Sequence, residues 1–358
     1  MYEILKLGFL LLGFVLFGPC LAIYFTFYGD FYTLSKRYKL LSYVTDEWEL
    51  LGVFGLFWVG FYFMLSFWSA LKKLRNKPPK LDWWQTGIIY EIYVKSFKDS
   101  NNDGVGDLRG IVDKIDYLKS IGVKTVWLTP IYASGGQDGG YDVTSYVDID
   151  PIYGTMCDFD ELVRKLHSND MHLIMDFIPN HTSDQHEWFK KSASSVKNAY
   201  HDYYVWQPSE DRKKPPNNWV SVFGNSMWEY CEARKAWYLH QFLPSQPDLN
   251  LRSAKVREEL KSAIRFWIEK KNVDGLRIDA VKHLFESESL EDEPLRNSSI
   301  SDLSGKQLKY EDFDHVHTSN QPESYKLLAE WRKLFDEISE KTGRKKYIHP
   351  IITLYFIH

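Results

Sequence analysis

From residue 81 onward, short apolar runs alternate with segments that have one apolar and one polar face. The apolar runs predict buried strands, and the two-faced segments predict amphipathic helices. The predicted strands are Gly87–Val94, Lys124–Leu128, His172–Phe177 and Val273–Ile278, and the predicted helices are Leu108–Ile121, Phe159–Asn169 and Ala254–Lys271. This alternation favours a parallel sheet with crossover helices, which a doubly wound fold and a barrel both provide.

Two polar stretches interrupt the alternation. Residues 181–249, which we call the excursion, are rich in Trp, Tyr and Pro and follow the third predicted strand. Residues 286–321, which we call the polar insertion, follow the fourth. Long segments at the carboxyl ends of barrel strands commonly carry the active site. We therefore expect functional residues beside both stretches.

Two long apolar runs precede the alternating region. Leu7–Gly29 contains 23 residues without a charge, and Leu51–Leu71 contains another 21. About 20 apolar residues span a bilayer as a helix, and neither run has the polar face of a buried core helix. Residues 1–76 are therefore predicted to form a membrane segment with one or two transmembrane helices, because the first run also resembles a signal-peptide core. A hinge at 77–80 and a globular part at 81–358 follow, and we expect that part to be extracellular or lumenal.

The composition argues against several classes of protein. The net charge of -4 gives no reason to expect a nucleic-acid partner. The 44% of hydrophobic residues is enough to fill a large core. The cysteines Cys20, Cys157 and Cys231 are too few and too far apart for a disulfide scaffold or a zinc site. A disulfide between Cys157 and Cys231 is one alternative if the globular part faces an oxidising compartment, and the sequence does not decide it.

Arg277 and Asp279 lie at the end of the fourth predicted strand. Residues two apart on a strand point to the same face, so the guanidinium is expected beside the carboxylate. A neighbouring cation favours the ionised carboxylate that a nucleophile requires. An isolated pair of this kind is more often a structural salt bridge. Here three further motifs accompany it, namely Asp176–His181, Asp138–Asp142 and Gln246–Asn250.

In this order and spacing the four motifs resemble glycoside hydrolase family 13, the α-amylase superfamily. Within it they are most similar to the α-glucosidase and maltase group with its QPDLN signature, and the resemblance runs from about Leu81 to Lys282. It implies an α/β fold of the (β/α)₈ TIM-barrel type, with the excursion after the third strand. It also implies retaining hydrolysis of α-glucosidic bonds in maltose-like oligosaccharides.

The resemblance assigns roles to individual residues. Asp279 matches the nucleophile that forms a covalent glycosyl-enzyme, and Arg277 matches its electrostatic partner. The expected substrate-binding residues are Asp138, Tyr141, His181 and His283. Asp138 and Tyr141 are expected to hold and stack the sugar, and His181 to hydrogen-bond one of its hydroxyls. Without the resemblance, a single histidine is more often structural.

The loop after the first predicted strand carries oxygen-bearing residues at alternate positions. The candidate metal ligands are Asp99, Asn101, Asp103, Val105 and Asp107. Hard cations prefer such oxygen donors. An EF-hand is excluded, because its twelfth loop position needs Glu and this chain has Gly110 there. The resemblance implies a structural Ca²⁺ or Mg²⁺, and the alternative is a solvated acidic turn.

One catalytic group of the family has no counterpart in the sequence. A retaining glycosidase needs a nucleophile and a general acid about 5–5.5 Å apart, and the resemblance implies a Glu at the end of the fifth strand as the acid. Residues 347–358 contain no Asp or Glu. We therefore expect an incomplete barrel, truncated after four or five of its eight strands, and we expect the chain as given to be inactive.

Two functions from different classes remain. The first is a membrane-bound α-glucosidase that binds α-linked oligosaccharides. The second is a non-catalytic heavy chain of a heteromeric amino-acid transporter, of the rBAT type, which pairs with a light chain in the lipid bilayer. The segments Leu81–Gln85, Ser96–Ser100 and Pro215–Trp219 resemble such heavy chains. A heavy chain is expected to carry a cysteine next to the membrane, and residues 70–84 contain none. That observation and the retained motif residues favour the enzyme.

Overall fold

The structure is a computed structural model that describes residues 58–73, 81–296 and 308–350. The chain divides into two compact units, Met1–Lys80 and Leu81–His358. In the first unit, residues 58–73 form a helix with exposed apolar side chains. None of the helices in these described ranges has both the length and the apolarity needed to cross a membrane.

The two predicted membrane spans are only partly covered by the structure. Leu7–Gly29 lies outside the described residues, and so do residues 51–57 of the second run. The described remainder of the second run is helical, as the apolar pattern predicts. The number of spans and the orientation of the chain stay predictions.

The second unit is built on a parallel sheet of five strands. In chain order these are β1 (Ile88–Ile92), β2 (Val123–Leu128), β3 (His172–Phe177), β4 (Gly275–Ile278) and β5 (Tyr347–Pro350). Each strand pairs in parallel with the next one along the chain. This sequential parallel order is that of consecutive strands in a barrel and differs from the reversed order of a doubly wound sheet. The structure thus decides between the two folds that the sequence pattern left open.

Helices connect the strands. They are α1 (Leu108–Asp113), α2 (Ile115–Ser120), α3 (Met156–Ser168), α4 (Ala254–Arg265) and α5 (Pro322–Thr342). Short helical turns occur at Trp83–Thr86, Val94–Phe97, Val281–His283 and Tyr310–Asp312. The start of α3 shows why its sequence forms a helix there. The backbone nitrogen of Thr155 donates to Asp158 and the threonine hydroxyl accepts from the Asp158 nitrogen, which forms a capping box.

Two predicted helices differ from those in the structure. The predicted helix Leu108–Ile121 breaks at Lys114, whose φ of -104° and ψ of 6° leave the helical region. The predicted helix Ala254–Lys271 is α-helical only as far as Arg265 and continues as the π-helical turn Phe266–Lys270. That turn buries Trp267 completely, so packing of a large ring outweighs regular helix geometry at this position.

The excursion has more regular structure than its loop-rich sequence indicates. It contains a helix, Glu187–Ser194, and an antiparallel sheet of Trp206–Pro208, Trp228–Cys231 and Ala236–Leu239. A separate hairpin, Tyr132–Ser134 with Val143–Ile149, precedes α3 and was not evident from the apolar pattern. Both additions follow the carboxyl ends of main-sheet strands, on the side where a barrel carries its active site.

Hydrogen bonds join the excursion to the polar insertion. The indole of Trp219 donates to the carbonyl of Glu291 at 2.8 Å. The side chain of Asn218 donates to the carbonyl of Glu293 at 2.9 Å and accepts from the nitrogen of the same residue at 2.8 Å. These hydrogen bonds hold the excursion and the polar insertion together.

Cys157 and Cys231 are both free thiols in the structure. Cys157 is exposed near the start of α3, and Cys231 ends a strand of the excursion sheet. The disulfide that the sequence left open is therefore not formed, because the two residues lie on separate elements that do not bring their sulfurs together.

Candidate active site

The strand register brings Asp176 and Arg277 together. Asp176 on β3 and Arg277 on β4 are direct neighbours across the parallel pair. Arg277 Nη1 donates to Asp176 Oδ1 at 2.7 Å and to Asp279 Oδ1 at 2.6 Å. One guanidinium nitrogen therefore holds two carboxylates at the carboxyl ends of neighbouring strands, the position of active sites in barrels.

Tyr141 and His181 extend this contact into a network. The phenol of Tyr141 donates to Asp176 Oδ2 at 3.0 Å. Nε2 of His181 lies 3.1 Å from the carbonyl oxygen of Tyr141. Because a carbonyl oxygen can only accept, this ring nitrogen carries a proton. Tyr141, from the hairpin region before α3, and His181, the first residue of the excursion, thus meet next to the carboxylates.

Gln246 connects Asp138 to the same network. Its amide nitrogen donates to Asp138 Oδ2 at 2.9 Å and lies 3.2 Å from His181 Nε2, where the two nitrogens are in contact without a hydrogen bond because both carry protons. The backbone nitrogen of Leu243 donates to the Gln246 carbonyl oxygen at 3.0 Å, which fixes the orientation of the amide. The structure therefore unites five residues that the sequence singled out for the site: Asp138, Tyr141, His181, Arg277 and Asp279.

A turn of unusual conformation follows the strand end. Ala280 has φ 51° and ψ 31°, in the left-handed region that alanine rarely adopts. The backbone nitrogen of Asp279 donates to the carbonyl of Phe177 at 2.9 Å, so the residue is still held in the strand ladder. Such local strain is typical of functional sites. Here it turns the chain immediately after the carboxylate.

Burial determines the ionisation of the two carboxyl groups. Burial raises the pKa of Asp279 and outweighs the opposing effect of Arg277. The pKa of Asp176 rises to about 7, mainly through burial, again against the guanidinium. Arg277 thus acts on Asp279 in the expected direction, because it lowers the pKa of that carboxyl group, whereas loss of water raises the pKa by more than the shared cation lowers it.

His181 is a neutral ring in this structure. Its Nε2 carries the proton toward Tyr141, and its Nδ1 accepts from the Asn180 side chain at 3.2 Å. Burial lowers the pKa of His181 to about 4. A neutral imidazole can donate to or accept from a hydroxyl group without introducing charge. Both ring nitrogens are engaged by protein groups in this structure, so the expected contact with a sugar stays a prediction.

His283 lies behind the network. Its Nδ1 lies 3.0 Å from Gln241 Oε1, and the backbone of Thr318 also hydrogen-bonds the ring. The ring of Phe242 stands between the two histidines, 5.2 Å from His283 and 5.1 Å from His181 by ring centroids. A direct contact of His283 with the sugar stays a prediction.

The predicted metal loop closes on its own backbone. Asp99 accepts hydrogen bonds from the backbone nitrogens of Asn101, Asn102 and Gly104. These bonds lower its pKa, the bond from Gly104 having the largest effect. The Asp103 carboxylate likewise accepts from the nitrogen of Val105 at 2.8 Å and from the side chain of Asn101 at 2.9 Å.

Asp107 has a second role that the sequence did not indicate. Its carboxylate caps α1 by accepting from the nitrogen of Gly110 at 2.7 Å, and it also accepts from the backbone and hydroxyl of Ser100. Within the described ranges, no three His, Cys, Asp or Glu side chains are arranged to hold a metal ion. The oxygen donors of the loop suit a hard cation, but they are not assembled into such a group, so the metal stays a prediction.

Several residues of the network had no role assigned from the sequence. Asp176, Asn180, Gln246 and Asp248 belong to the quoted motifs, and Gln241 lies outside them. The available signal for Asp176 was a carboxylate in an otherwise apolar strand, which has to find a partner when buried. No sequence signal distinguished Gln241 from other polar residues of the excursion.

The sheet order and the carboxylate network define a class, the barrel glycoside hydrolases. The family model described as "Alpha amylase, catalytic domain" matches residues 91–348. The chain therefore belongs to the α-amylase family, glycoside hydrolase family 13, in its α-glucosidase and maltase-like group. The fold is correspondingly that of a TIM-barrel catalytic domain.

Relatives of two kinds match at similar identity. The chain is 45% identical over 269 residues to an alpha-glucosidase of Culex pipiens, covering 75% of this chain and 45% of that protein. It is 43% identical over 298 residues to the human amino acid transporter heavy chain SLC3A1, covering 82% of this chain and 43% of that protein. The chain thus spans about half the length of these curated relatives.

Solved structures agree with this assignment. The alpha-glucosyl transfer enzyme XgtA matches with a TM-score of 0.69 and 36% identity, covering 76% of this chain and 50% of that one. The trehalulose synthase MutB from Pseudomonas mesoacidophila matches with a TM-score of 0.63 and 37% identity, covering 76% and 45%. Both similarities extend over most of the described barrel unit.

Proposed function

We propose that this protein is an α-glucosidase-like retaining hydrolase that acts on α-glucosidic bonds of maltose-like oligosaccharides. The observation that carries the proposal is the shared contact of Arg277 with Asp176 and Asp279, in one network with Asp138 and His181. Similarity to an alpha-glucosidase of Culex pipiens and to maltase 1 of Drosophila virilis supports the substrate class.

Asp279 is the proposed nucleophile. Its side chain is 17% exposed, whereas that of Asp176 is 0% exposed, so only Asp279 can reach a bound sugar. Its carboxylate attacks the anomeric carbon and forms a covalent glycosyl-enzyme. Arg277 stabilises the carboxylate before the attack and when it leaves again. Asp176 serves to orient the guanidinium.

The leaving oxygen of a natural substrate also needs a proton from a general acid. Asp176 is fully buried beneath Arg277, and Asp138 already accepts from Gln246, so neither is assigned that role. Loss of such a group typically lowers the rate by ~10²–10⁴-fold. The proposed first step is therefore tested with a substrate whose leaving group departs without a proton.

The test uses a ring-fluorinated α-glucosyl fluoride. The Asp279 carboxylate forms a bond to the anomeric carbon, the carbon–fluorine bond breaks, and fluoride leaves with the electron pair. Mass spectrometry of the digested protein should locate the added sugar on Asp279. The variant Asp279→Asn should take up no label, and the control Asp148→Asn, which changes an exposed carboxylate on the hairpin, should label normally. Labelling of another residue, or equal labelling of Asp279→Asn, would contradict the proposal.

A non-catalytic heavy chain of an amino-acid transporter is the second candidate. Its support is the 43% identity to the human heavy chain over 82% of this chain, close to the value for the alpha-glucosidase. Co-expression with a candidate light chain tests it, with amino-acid uptake and surface labelling of the light chain as readouts. Uptake that depends on this protein and is unchanged in Asp279→Asn would favour this candidate, particularly if no covalent sugar is detected.

Attachment to a lipid bilayer through the N-terminal segment is part of the proposal. It is supported by the exposure of large apolar side chains on the helix at 58–73, with Tyr62 and Trp68 each 70% exposed. The globular part is placed outside the cell or in a lumen. Alkaline extraction of membranes should leave the protein in the pellet, and protease added to sealed vesicles should show on which side residues 81–358 lie.

A further inference from the structure

Carbonyl oxygens at the carboxyl end of β3 accept hydrogen bonds from phenols instead of from a neighbouring strand. Among the described strands, pairing between β2 and β3 stops before Asp176, and we call residues 176–181 the β3 end. The carbonyl of Asp176 accepts from the hydroxyl of Tyr132 at 2.7 Å. The carbonyl of Ile178 accepts from the hydroxyl of Tyr146 at 2.8 Å. Because buried carbonyls require a partner, the two phenols take the place of strand pairing here.

The hydroxyl of Tyr146 has a second acceptor. It lies 3.1 Å from the carbonyl oxygen of His181, in addition to its shorter contact with Ile178. A phenol has one proton to donate, so the two carbonyls share it. Tyr146 is only 4% exposed, which keeps water from competing for either carbonyl. One hydroxyl thus holds both ends of the bend that leads from the strand to His181.

The hairpin and the β3 end carry different parts of the candidate active site. Tyr132 and Tyr146 lie on the two strands of the hairpin, and Asp138 and Tyr141 lie in the loop that joins these strands. His181 is the last residue of the β3 end. The two hydroxyls therefore connect the segments on which the expected sugar-binding residues stand. A change in either hydrogen bond would alter the position of these residues relative to one another.

A tryptophan holds the backbone of Tyr146. The indole nitrogen of Trp267 donates to the carbonyl of Tyr146 at 2.7 Å. Trp267 is fully buried and lies in the π-helical turn Phe266–Lys270. Turns of this kind are rare and frequently occur at functional sites. The wider turn gives the indole the direction in which it reaches the hairpin, so the irregular helix end has a specific contact that a regular end would have to replace.

We propose that Tyr132 and Tyr146 are positioning residues of the candidate active site, whose hydroxyls hold the β3 end against the hairpin. Trp267 supports this contact because it holds the backbone of Tyr146. All three side chains are at most 4% exposed, so they act through Asp176 and His181 and do not touch a substrate.

The two hydroxyls should influence different parts of the reaction. Tyr132 binds the carbonyl of Asp176, whose side chain orients Arg277, so its loss should slow the covalent step. Tyr146 binds the carbonyl of His181, so its loss should weaken the binding of the sugar. Both consequences rest on the proposed function, whereas the contact between the hairpin and the β3 end does not.

The first experiment measures how His181 is held and does not depend on activity. The protein is labelled with ¹⁵N-histidine, and the nuclear magnetic resonance signals of His181 are assigned by their loss in His181→Gln. The wild type should show a proton on Nε2 alone, because that nitrogen donates to the carbonyl of Tyr141. In Tyr146→Phe the ring should exchange between its two neutral forms, so the signals of its two nitrogens should move toward each other.

A second tyrosine provides the matched control. The hydroxyl of Tyr230 donates to the carbonyl of Ser209 at 3.0 Å, within the excursion. Tyr230→Phe therefore also removes one phenol–carbonyl hydrogen bond and should leave the His181 signals in place. If Tyr146→Phe leaves them in place as well, Tyr146 has only a structural role and the proposal is overturned.

The second experiment measures labelling with the fluorinated glucosyl fluoride. Tyr146→Phe should raise the concentration for half-maximal labelling by about threefold to tenfold, the range that one neutral hydrogen bond supplies, at a nearly unchanged maximal rate. Tyr132→Phe should lower the maximal rate at nearly unchanged half-saturation. Normal labelling of both variants, or the reverse assignment of the two effects, would overturn the positioning roles. If Asp279 is not labelled in the wild type, the proposed function fails, and the His181 signals still decide whether Tyr146 holds the β3 end.

The third experiment tests the support by Trp267. Trp267→Phe keeps an aromatic ring and removes the indole donor, so it should raise the concentration for half-maximal labelling in the same sense as Tyr146→Phe. The double variant should show no further increase over Tyr146→Phe, since both changes act through one contact. The control is Trp237→Phe, which removes a buried indole that donates to the carbonyl of Asp211 at 3.1 Å, and it should leave labelling unchanged. Effects of Trp267→Phe and Tyr146→Phe that multiply would overturn the role of Trp267.

Discussion

Arg277 Nη1 lies 2.6 Å from Asp279 Oδ1, and this contact leaves the carboxyl group with a raised pKa. The guanidinium is shared with Asp176, and burial acts on both acids at once. The cation therefore limits the upward shift without abolishing it. The two carboxyl groups differ in exposure, with 17% of the Asp279 side chain exposed and 0% of the Asp176 side chain, and this difference separates the proposed nucleophile from the residue that orients Arg277.

Removal of Arg277 should shift the pH dependence of the labelling reaction. In Arg277→Met, burial would act on Asp279 without the opposing cation, so the pKa of the carboxyl group should rise further. Labelling should then require a higher pH, and the free energy of unfolding should fall by about 3–5 kcal/mol because two buried carboxylates lose their partner. Rate against pH and urea unfolding measure the two effects. The control is Arg265→Met, which changes an exposed arginine. If the labelling rate of Arg277→Met falls at the same acidic pH as that of the wild type, this account is contradicted.

Three buried histidines should contribute a loss of stability in mild acid. Burial lowers the pKa of His181, His186 and His240 from 6.5 to about 4. Between these two values the unfolded chain binds more protons than the folded one, so stability is present at neutral pH and lost as pH falls toward 4. Buried carboxyl groups with raised pKa values, such as Asp176, act in the opposite direction, so the contribution of the histidines is measured as the difference in melting temperature between the wild type and a histidine variant.

A variant of His186 tests whether buried histidines cause the acid sensitivity. Its Nδ1 accepts from the backbone nitrogen of Trp188 at 3.1 Å, and an asparagine oxygen can replace that acceptor. His186→Asn should remove about 3 kcal/mol of the acid-induced loss, from the size of the shift, while the exposed His201→Asn removes none. An unchanged slope in His186→Asn would show that burial of this ring does not cause the acid sensitivity.

The sequence predicted the parts of the fold that depend on local periodicity. Four of the five strands were predicted within a few residues, because buried parallel strands are continuous apolar runs. The break at Lys114 and the π-helical turn at Phe266–Lys270 were missed, since both arise from packing between elements. The order of the strands, which separates a barrel from a doubly wound sheet, depends on long-range pairing and became visible only in the structure.

The sequence predicted which residues form the candidate site, but it did not predict the contacts and the burial of those residues. The motifs identified Asp138, His181 and Asp279, because polar residues at strand ends point to one rim. The contact of Phe242 with both histidines and the hydrogen bond between Gln241 and His283 depend on how the excursion folds back. The pKa shifts depend on burial, which no sequence motif encodes. The opposing effects of burial and of Arg277 on Asp279 could therefore not be compared from the motifs alone.

Trp83 should contribute measurably to stability. Its ring stacks on His172 at the start of β3, with centroids 4.1 Å apart, and its indole donates to the carbonyl of Lys345 at 3.2 Å. It therefore ties the segment before β1 to the amino ends of β3 and β5. Trp83→Leu should lower the free energy of unfolding by about 1–3 kcal/mol, from the lost stacking and hydrogen bond. Urea unfolding measures the change. Tyr117→Leu, at an exposed ring, should change it little, and equal effects of the two would contradict the assigned contacts.

Cation binding should stabilise the loop at 99–107, if its carboxylates turn from the backbone toward a metal ion. Asp99, Asn101 and Asp103 supply the oxygen donors, and in the structure their side chains accept from backbone nitrogens of the same loop. Calcium at a hundredfold excess over its dissociation constant should add about 2.7 kcal/mol to the free energy of unfolding. Calorimetric titration and melting curves with calcium, magnesium and chelator measure this effect. Asp103→Asn should abolish it and Asp148→Asn should leave it intact. If calorimetric titration of the folded wild type shows no heat of cation binding, the loop is an acidic turn whose carboxylates bind the loop's own backbone. Asp107 then acts as the cap of α1 and not as a metal ligand.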